Sequence, residues 1–141
     1  MADSMRISLE KVGECAFSMD DGRGHRVLID GPEKLGGKDA GPRPMEMFLS
    51  ALASCSAVDV VMILRQQKQT LEGLRIEVEG VRKDAVPAVF EHITLRFIAH
   101  GNVTGNKLSR AVSLSVEKYC SVAKMLVPDV VVVHESRVER S

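Results

Sequence analysis

The chain has 141 residues, a length that suits one domain able to bury its own core without disulfides or metals. Its 19 lysines and arginines balance 19 aspartates and glutamates, and their even spread excludes the charge signature of a nucleic-acid or membrane-surface binder. Three cysteines, at positions 15, 55 and 120, are odd in number and widely spaced, which argues against a secreted disulfide framework; no CxxC pair or cysteine–histidine spacing marks a metal site.

In chain order, "MADSMRISLE" lacks the basic-then-apolar pattern of a signal peptide, so a cytoplasmic protein is expected. From "MRISLEKVGE" to "HRVLID" apolar and polar residues alternate around the turn signal "DDGRG", which predicts a hairpin or small meander. "GPEKLGGKDAGPRP", with four glycines and three prolines, reads as a linking loop. Pro44 then suits the first turn of a helix, because its missing N–H would have no partner there anyway. From Met45 to Leu64 the polar side chains are Glu46, Ser50, Ser54, Ser56 and Asp59. A helix so apolar on all sides predicts a buried central helix, and its two carboxylates and three serines argue against a membrane span.

"LRIEVEGV" puts Leu74, Ile76 and Val78 on one face and Arg75, Glu77 and Glu79 on the other, the pattern of a half-exposed strand. "FEHITLRFIAHG" repeats it with Ile93, Leu95 and Phe97 facing inward, and "KDAVPA" supplies the turn between the two. "NKLSRAVSLSVEKYC" carries Leu108, Val112, Val116 and Tyr119 at helical spacing, so a second amphipathic helix ends near Cys120 and "SVAKML" forms a further short turn. "DVVVVHESRV" is a β-branched run that suits a closing strand. The order predicts a single α+β domain over residues 1–141, with antiparallel sheets around a buried central helix. A helix that needs cover on several sides also points to a homodimer.

Taken alone, Cys55 reads as a small core hydrophobe. Ser54 and Ser56 beside it, and Asp59 four residues on, are unusual company for a core position. An ionised Asp59 would oppose a Cys55 thiolate, so an activated thiol would need a cation or donors from another segment. Cys120 has two readings: a thiolate favoured at a helix N-terminus, or a thiol packed at a helix end. Cys15, in the alternating strand "GECAFSM", is assigned to packing.

"RPMEMFLSALASCSAVDVV", followed far downstream by "VEKYCSVAKML", resembles the OsmC/Ohr family of osmotically inducible and organic hydroperoxide resistance proteins, in particular its small OsmC-like branch. The resemblance covers nearly the whole chain. It implies an intertwined homodimer acting as a thiol-dependent peroxidase on organic hydroperoxides or hydrogen peroxide, in the oxidative or osmotic stress response. Cys55 would be the peroxidatic cysteine and Cys120 the resolving one, with an external dithiol reductant and no metal, haem or flavin. Partners would be a second copy, the peroxide and the reductant, with no nucleic acid and no membrane.

The chain departs from the family pattern in three places. The peroxidases place a glutamate directly after the motif's proline; here that residue is Met45, and Glu46 follows. On a regular helix Glu46 lies about half a turn round from Cys55 and roughly 13 Å along the axis, so the two do not touch within one helix. Reaching Cys55 from the partner subunit and pairing with a cation at the helix start both stay open. The arginine that serves the thiolate is to be sought among Arg23, Arg26 and Arg43; Arg26 is favoured because it begins the strand "RVLID". Ser121 stands where many members have proline after the second cysteine. These departures keep a second expectation alongside the peroxidase, a stress-associated ligand-binding or regulatory dimer with little turnover. A third is a module whose cysteines only pack.

Overall fold

The computed structural model describes residues 3–140. The chain divides into two compact units, Met1–Phe48 and Leu49–Ser141.

The first unit is a meander of β1 (Ser8–Lys11), β2 (Ala16–Asp20) and β3 (Arg26–Asp30), all antiparallel in the order β1-β2-β3. The β2–β3 turn is built by Asp20 and Asp21, whose side chains accept the amides of Gly22 and Arg23 at 2.7 and 2.8 Å. Gly22 and Gly24 take the positive φ that reversal requires. The loop after β3 is organised by one buried carboxylate. Asp30 accepts the amides of Gly31, Lys38 and Ala40 at 2.8, 2.9 and 3.2 Å, and the Cys15 thiol at 3.7 Å. These amide bonds hold its pKa below the ordinary 3.8.

Helix α1 (Pro44–Gln66) begins as the sequence predicts, with Pro44 in its first turn and Glu46 Oε1 accepting the Arg43 amide at 2.8 Å, half of a capping box. Within the second unit α1 buries a single stripe, Leu52, Ser56, Val60 and Leu64, at four-residue spacing. Val58 and Met62, on its other faces, are at least half exposed. The expectation of a helix buried all round therefore does not hold within one chain. By length and composition α1 could cross a bilayer, but Ser56 and Asp59 are bonded to Cys120 and Ser115 of the same unit, the arrangement of a core helix.

Strands β4 (Thr70–Arg82) and β5 (Phe90–Asn102) pair antiparallel, with Ile76 opposite Phe97 and Val78 opposite Leu95. Ile93, Leu95 and Phe97 are completely buried, and full burial of such side chains contributes about 1.5–3 kcal/mol each. Helix α2 (Gly105–Leu114) starts at Thr104, whose hydroxyl accepts the Lys107 amide at 3.3 Å, and packs on the last strand. A π turn (Ser115–Tyr119) and the short helix α3 (Ser121–Leu126) lead into β6 (Val131–Val138).

Two expectations are corrected here. β6 pairs with β5 in parallel, so the second sheet is mixed. The helical segment between them is a crossover long enough to bring the chain back to the same end, which is what parallel pairing requires. Tyr119 is 53% exposed and does not continue the stripe of Leu108, Val112 and Val116. The π turn adds a residue to that turn, and Cys120 takes the buried place.

Candidate functional site

Cys55, half-buried in α1, and Cys120, completely buried between the π turn and α3, are free thiols that lie near enough for Cys55 to act on the Cys120 proton. They come from segments 65 residues apart in sequence (120 minus 55). Cys120 Sγ also receives the Ser56 hydroxyl at 3.3 Å and the Ala123 amide at 3.4 Å, the latter making it the N-cap of α3. Burial pushes the Cys120 thiol above its ordinary 9.0; the Ser56 and Ala123 bonds pull the other way, and Cys55 adds to the rise. At neutral pH Cys120 therefore carries its proton. Of the two readings of Cys120, the helix N-terminus is present, yet burial outweighs it.

Ser56 follows Cys55 directly and is completely buried. Its hydroxyl lies 2.9 Å from the Leu52 carbonyl as well as 3.3 Å from Cys120 Sγ, so one proton has two acceptors. Its backbone carbonyl accepts the Ser115 hydroxyl at 2.9 Å, and the same hydroxyl lies 3.2 Å from Asp59 Oδ2. The Cys120 amide closes the π turn on the Ser115 carbonyl at 2.7 Å. Ser56 thus holds both ends of that turn. Asp59, expected to bear on Cys55 from the same helix face, has its carboxylate engaged by Ser115. Ser115 was not among the candidate residues. Its signal was a polar residue on the apolar stripe of α2, three positions after Val112.

The other candidates lie in the first unit, each with a local partner. Arg26 pairs with Asp20 at 3.6 Å and Arg23 with Asp21 at 3.0 Å. Glu46 caps α1 through the Arg43 amide in place of a cation pair. The Cys15 thiol, assigned to packing, has a polar partner after all in Asp30.

Residues 36–135 match the family of OsmC-like proteins. The chain belongs to that family. It is 38% identical over 135 residues to the protein YhfA of Escherichia coli K12, covering 95% of this chain and 98% of that one. A crystal structure of a hypothetical protein from Aquifex aeolicus superposes with a TM-score of 0.87 at 31% identity, covering 99% of each chain. The crystal structure of an organic hydroperoxide resistance protein, OsmC, from Legionella pneumophila shares the fold at a TM-score of 0.71 and 18% identity, covering 98% of this chain and 99% of that one. The OsmC-like fold, α+β with two small sheets and helices, is thus shared by this chain and the two crystal structures.

Proposed function

We propose that this OsmC-like protein is a thiol-dependent peroxidase acting on organic hydroperoxides or hydrogen peroxide. The observation that carries the reading is a pair of neighbouring free thiols, with Cys55 partly accessible and Cys120 fully buried. A partly accessible thiol that meets peroxide and a shielded one that meets only the first thiol are the two roles such chemistry needs.

Cys55, as the thiolate, attacks the terminal oxygen of the hydroperoxide. An S–O bond forms, the O–O bond breaks, and the leaving alkoxide takes a proton and departs as the alcohol, or as water from hydrogen peroxide. Cys55 is left as a sulfenic acid. The Cys120 sulfur then attacks Cys55 Sγ; the S–S bond forms, the S–O bond breaks, and hydroxide leaves as water once protonated. An external dithiol reduces the disulfide by exchange and is itself oxidised. The chemistry needs no metal, haem or flavin.

Arg26 and Glu46 are the residues we assign to thiolate support, Arg26 because it begins β3 and Glu46 because it is the carboxylate one residue beyond the family's glutamate position. We further assign the protein to the cytoplasm and to a homodimer. Exposed apolar side chains in each unit, Leu9, Phe17 and Leu28 in one and Val58 and Met62 in the other, support a second copy as cover.

The test is hydroperoxide consumption in the presence of a dithiol. Wild type should turn over, Cys55→Ser should be inactive, and Cys120→Ser should accumulate a sulfenic acid that a dimedone-type reagent traps. Equal consumption by wild type and Cys55→Ser would sink the proposal. A specific observation favours the alternative of a ligand-binding or regulatory dimer: Glu46 and Arg26 are both engaged locally. That alternative predicts tight binding of an apolar ligand, unchanged by replacing both cysteines.

A further inference from the structure

From one position Ser56 reaches both ends of the π turn that delivers Cys120. Its hydroxyl faces Cys120 Sγ at 3.3 Å and its carbonyl takes the Ser115 hydroxyl at 2.9 Å. All three residues are completely buried, so no water substitutes for these bonds. The Ser56 proton has an alternative acceptor in the Leu52 carbonyl at 2.9 Å. While Cys120 is a thiol, Ser56 can rest on Leu52; once Cys120 ionises, the same hydroxyl can turn to the thiolate, a stronger acceptor.

We propose that Ser56 is a positioning residue for the resolving step: it fixes Cys120 against Cys55 and supplies the switchable hydrogen bond that lets a buried Cys120 ionise when it attacks. The proposal rests on the two-cysteine reading but concerns only the attack of Cys120 on an electrophilic Cys55 sulfur. The upward push of burial on the Cys120 thiol is the cost this bond offsets. The titratable group facing Cys120 is Cys55, from α1. Asp59, also on α1, is held by Ser115, while Glu117, Lys118 and Tyr119 on the π turn and Lys124 on α3 are exposed. The local pH response is therefore that of the thiol pair.

The resolving step can be read without peroxide. In a Cys15→Ser background, a nitrobenzoate aryl disulfide labels the accessible Cys55 by exchange, releasing one coloured aryl thiolate. Cys120 then attacks Cys55 Sγ, the Cys55–aryl S–S bond breaks, the Cys55–Cys120 disulfide forms and a further aryl thiolate leaves. The slower release, followed by stopped flow against pH, is the readout. Ser56→Ala is expected to slow it roughly tenfold, the order of one hydrogen bond to an ionised group, and to move its pH midpoint upward. Ser56→Thr, which keeps the hydroxyl, should restore the wild-type midpoint. Ser115→Ala should slow the step without moving the midpoint, because Ser115 anchors the carbonyl of Ser56 and not the sulfur.

Wild-type rate and midpoint in Ser56→Ala would overturn the proposal. So would a slowed step with an unmoved midpoint in both Ser56→Ala and Ser115→Ala, which would make Ser56 merely structural. Should Ser56→Ala fail to fold, a wild-type rate in Ser115→Ala would overturn it instead. A wild-type Cys55 inert to hydroperoxide would contradict the peroxidase reading alone, since the aryl disulfide still reports the action of Ser56.

Discussion

Ser115→Ala removes one hydroxyl from a completely buried site, and the structure sets the size of the effect. Its single proton has two acceptors, the Ser56 carbonyl at 2.9 Å and Asp59 Oδ2 at 3.2 Å. Neither is orphaned by the change. The Ser56 carbonyl keeps the amide bond that α1 provides four residues on, and Asp59, only half-buried, can turn to water. The loss is then the net worth of one buried hydrogen bond with partial charge assistance, about 1–2 kcal/mol. Urea unfolding at fixed protein concentration should show a lower midpoint with an unchanged slope, and thermal unfolding a fall of about 4 °C per kcal/mol. A double-mutant cycle with Asp59→Asn should give a coupling of at least about 0.5 kcal/mol, since the two side chains share the bond. A loss below about 0.3 kcal/mol, or full additivity in the cycle, would refute the bonding of Ser115 to Ser56 and Asp59.

Other consequences follow from the packing and from the carboxylate that organises the first unit. A methyl at Gly80 would sit 2.6 Å from Phe90 Cε1 and 3.1 Å from Leu49 Cδ2, so Gly80→Ala should destabilise by about 1–3 kcal/mol, and an unmoved unfolding midpoint would contradict that packing. Phe97→Ala, at a completely buried position, should cost about 3–5 kcal/mol in the same assay; less than about 1 kcal/mol would mean that Phe97 is not core. Asp30 has its pKa depressed by the amides of Lys38 and Ala40, so its contribution is complete above the ordinary carboxylate value of 3.8 and is lost as pH falls through the lower folded value. Asp30→Asn should speed hydrogen exchange at the Lys38 and Ala40 amides and flatten that acid dependence; unchanged exchange would place the anchor of the loop elsewhere.

Much of this was legible in the residues, because the signals were local. Pro44 and Glu46 mark the start of α1, and the alternation of Leu74, Ile76 and Val78 marks a strand whose other face, Arg75, Glu77 and Glu79, is exposed in the structure. What failed was non-local or depended on backbone detail. The β-branched run of β6 declares a strand but says nothing of its direction, which the crossover through α2 and α3 decides. Helical spacing put Tyr119 on the buried stripe; the π turn breaks that spacing and gives the place to Cys120. Cys55 and Cys120 stand out in the motifs, whereas Ser115 emerges only when the fold brings it to Ser56. The all-apolar character of α1 predicts burial on every side, but its sequence does not say whether the cover comes from the same chain.

The central claim is that Cys55 and Cys120 act as one redox pair, and a single-turnover experiment tests it most directly. Reduced protein is mixed with one equivalent of an organic hydroperoxide, quenched with a thiol-blocking reagent and mapped by peptide mass spectrometry. The account predicts a Cys55–Cys120 disulfide formed in step with release of the alcohol, with Cys15 still a free thiol. Hydroperoxide left intact, or consumed with Cys55 and Cys120 both recovered as blocked free thiols, would contradict it.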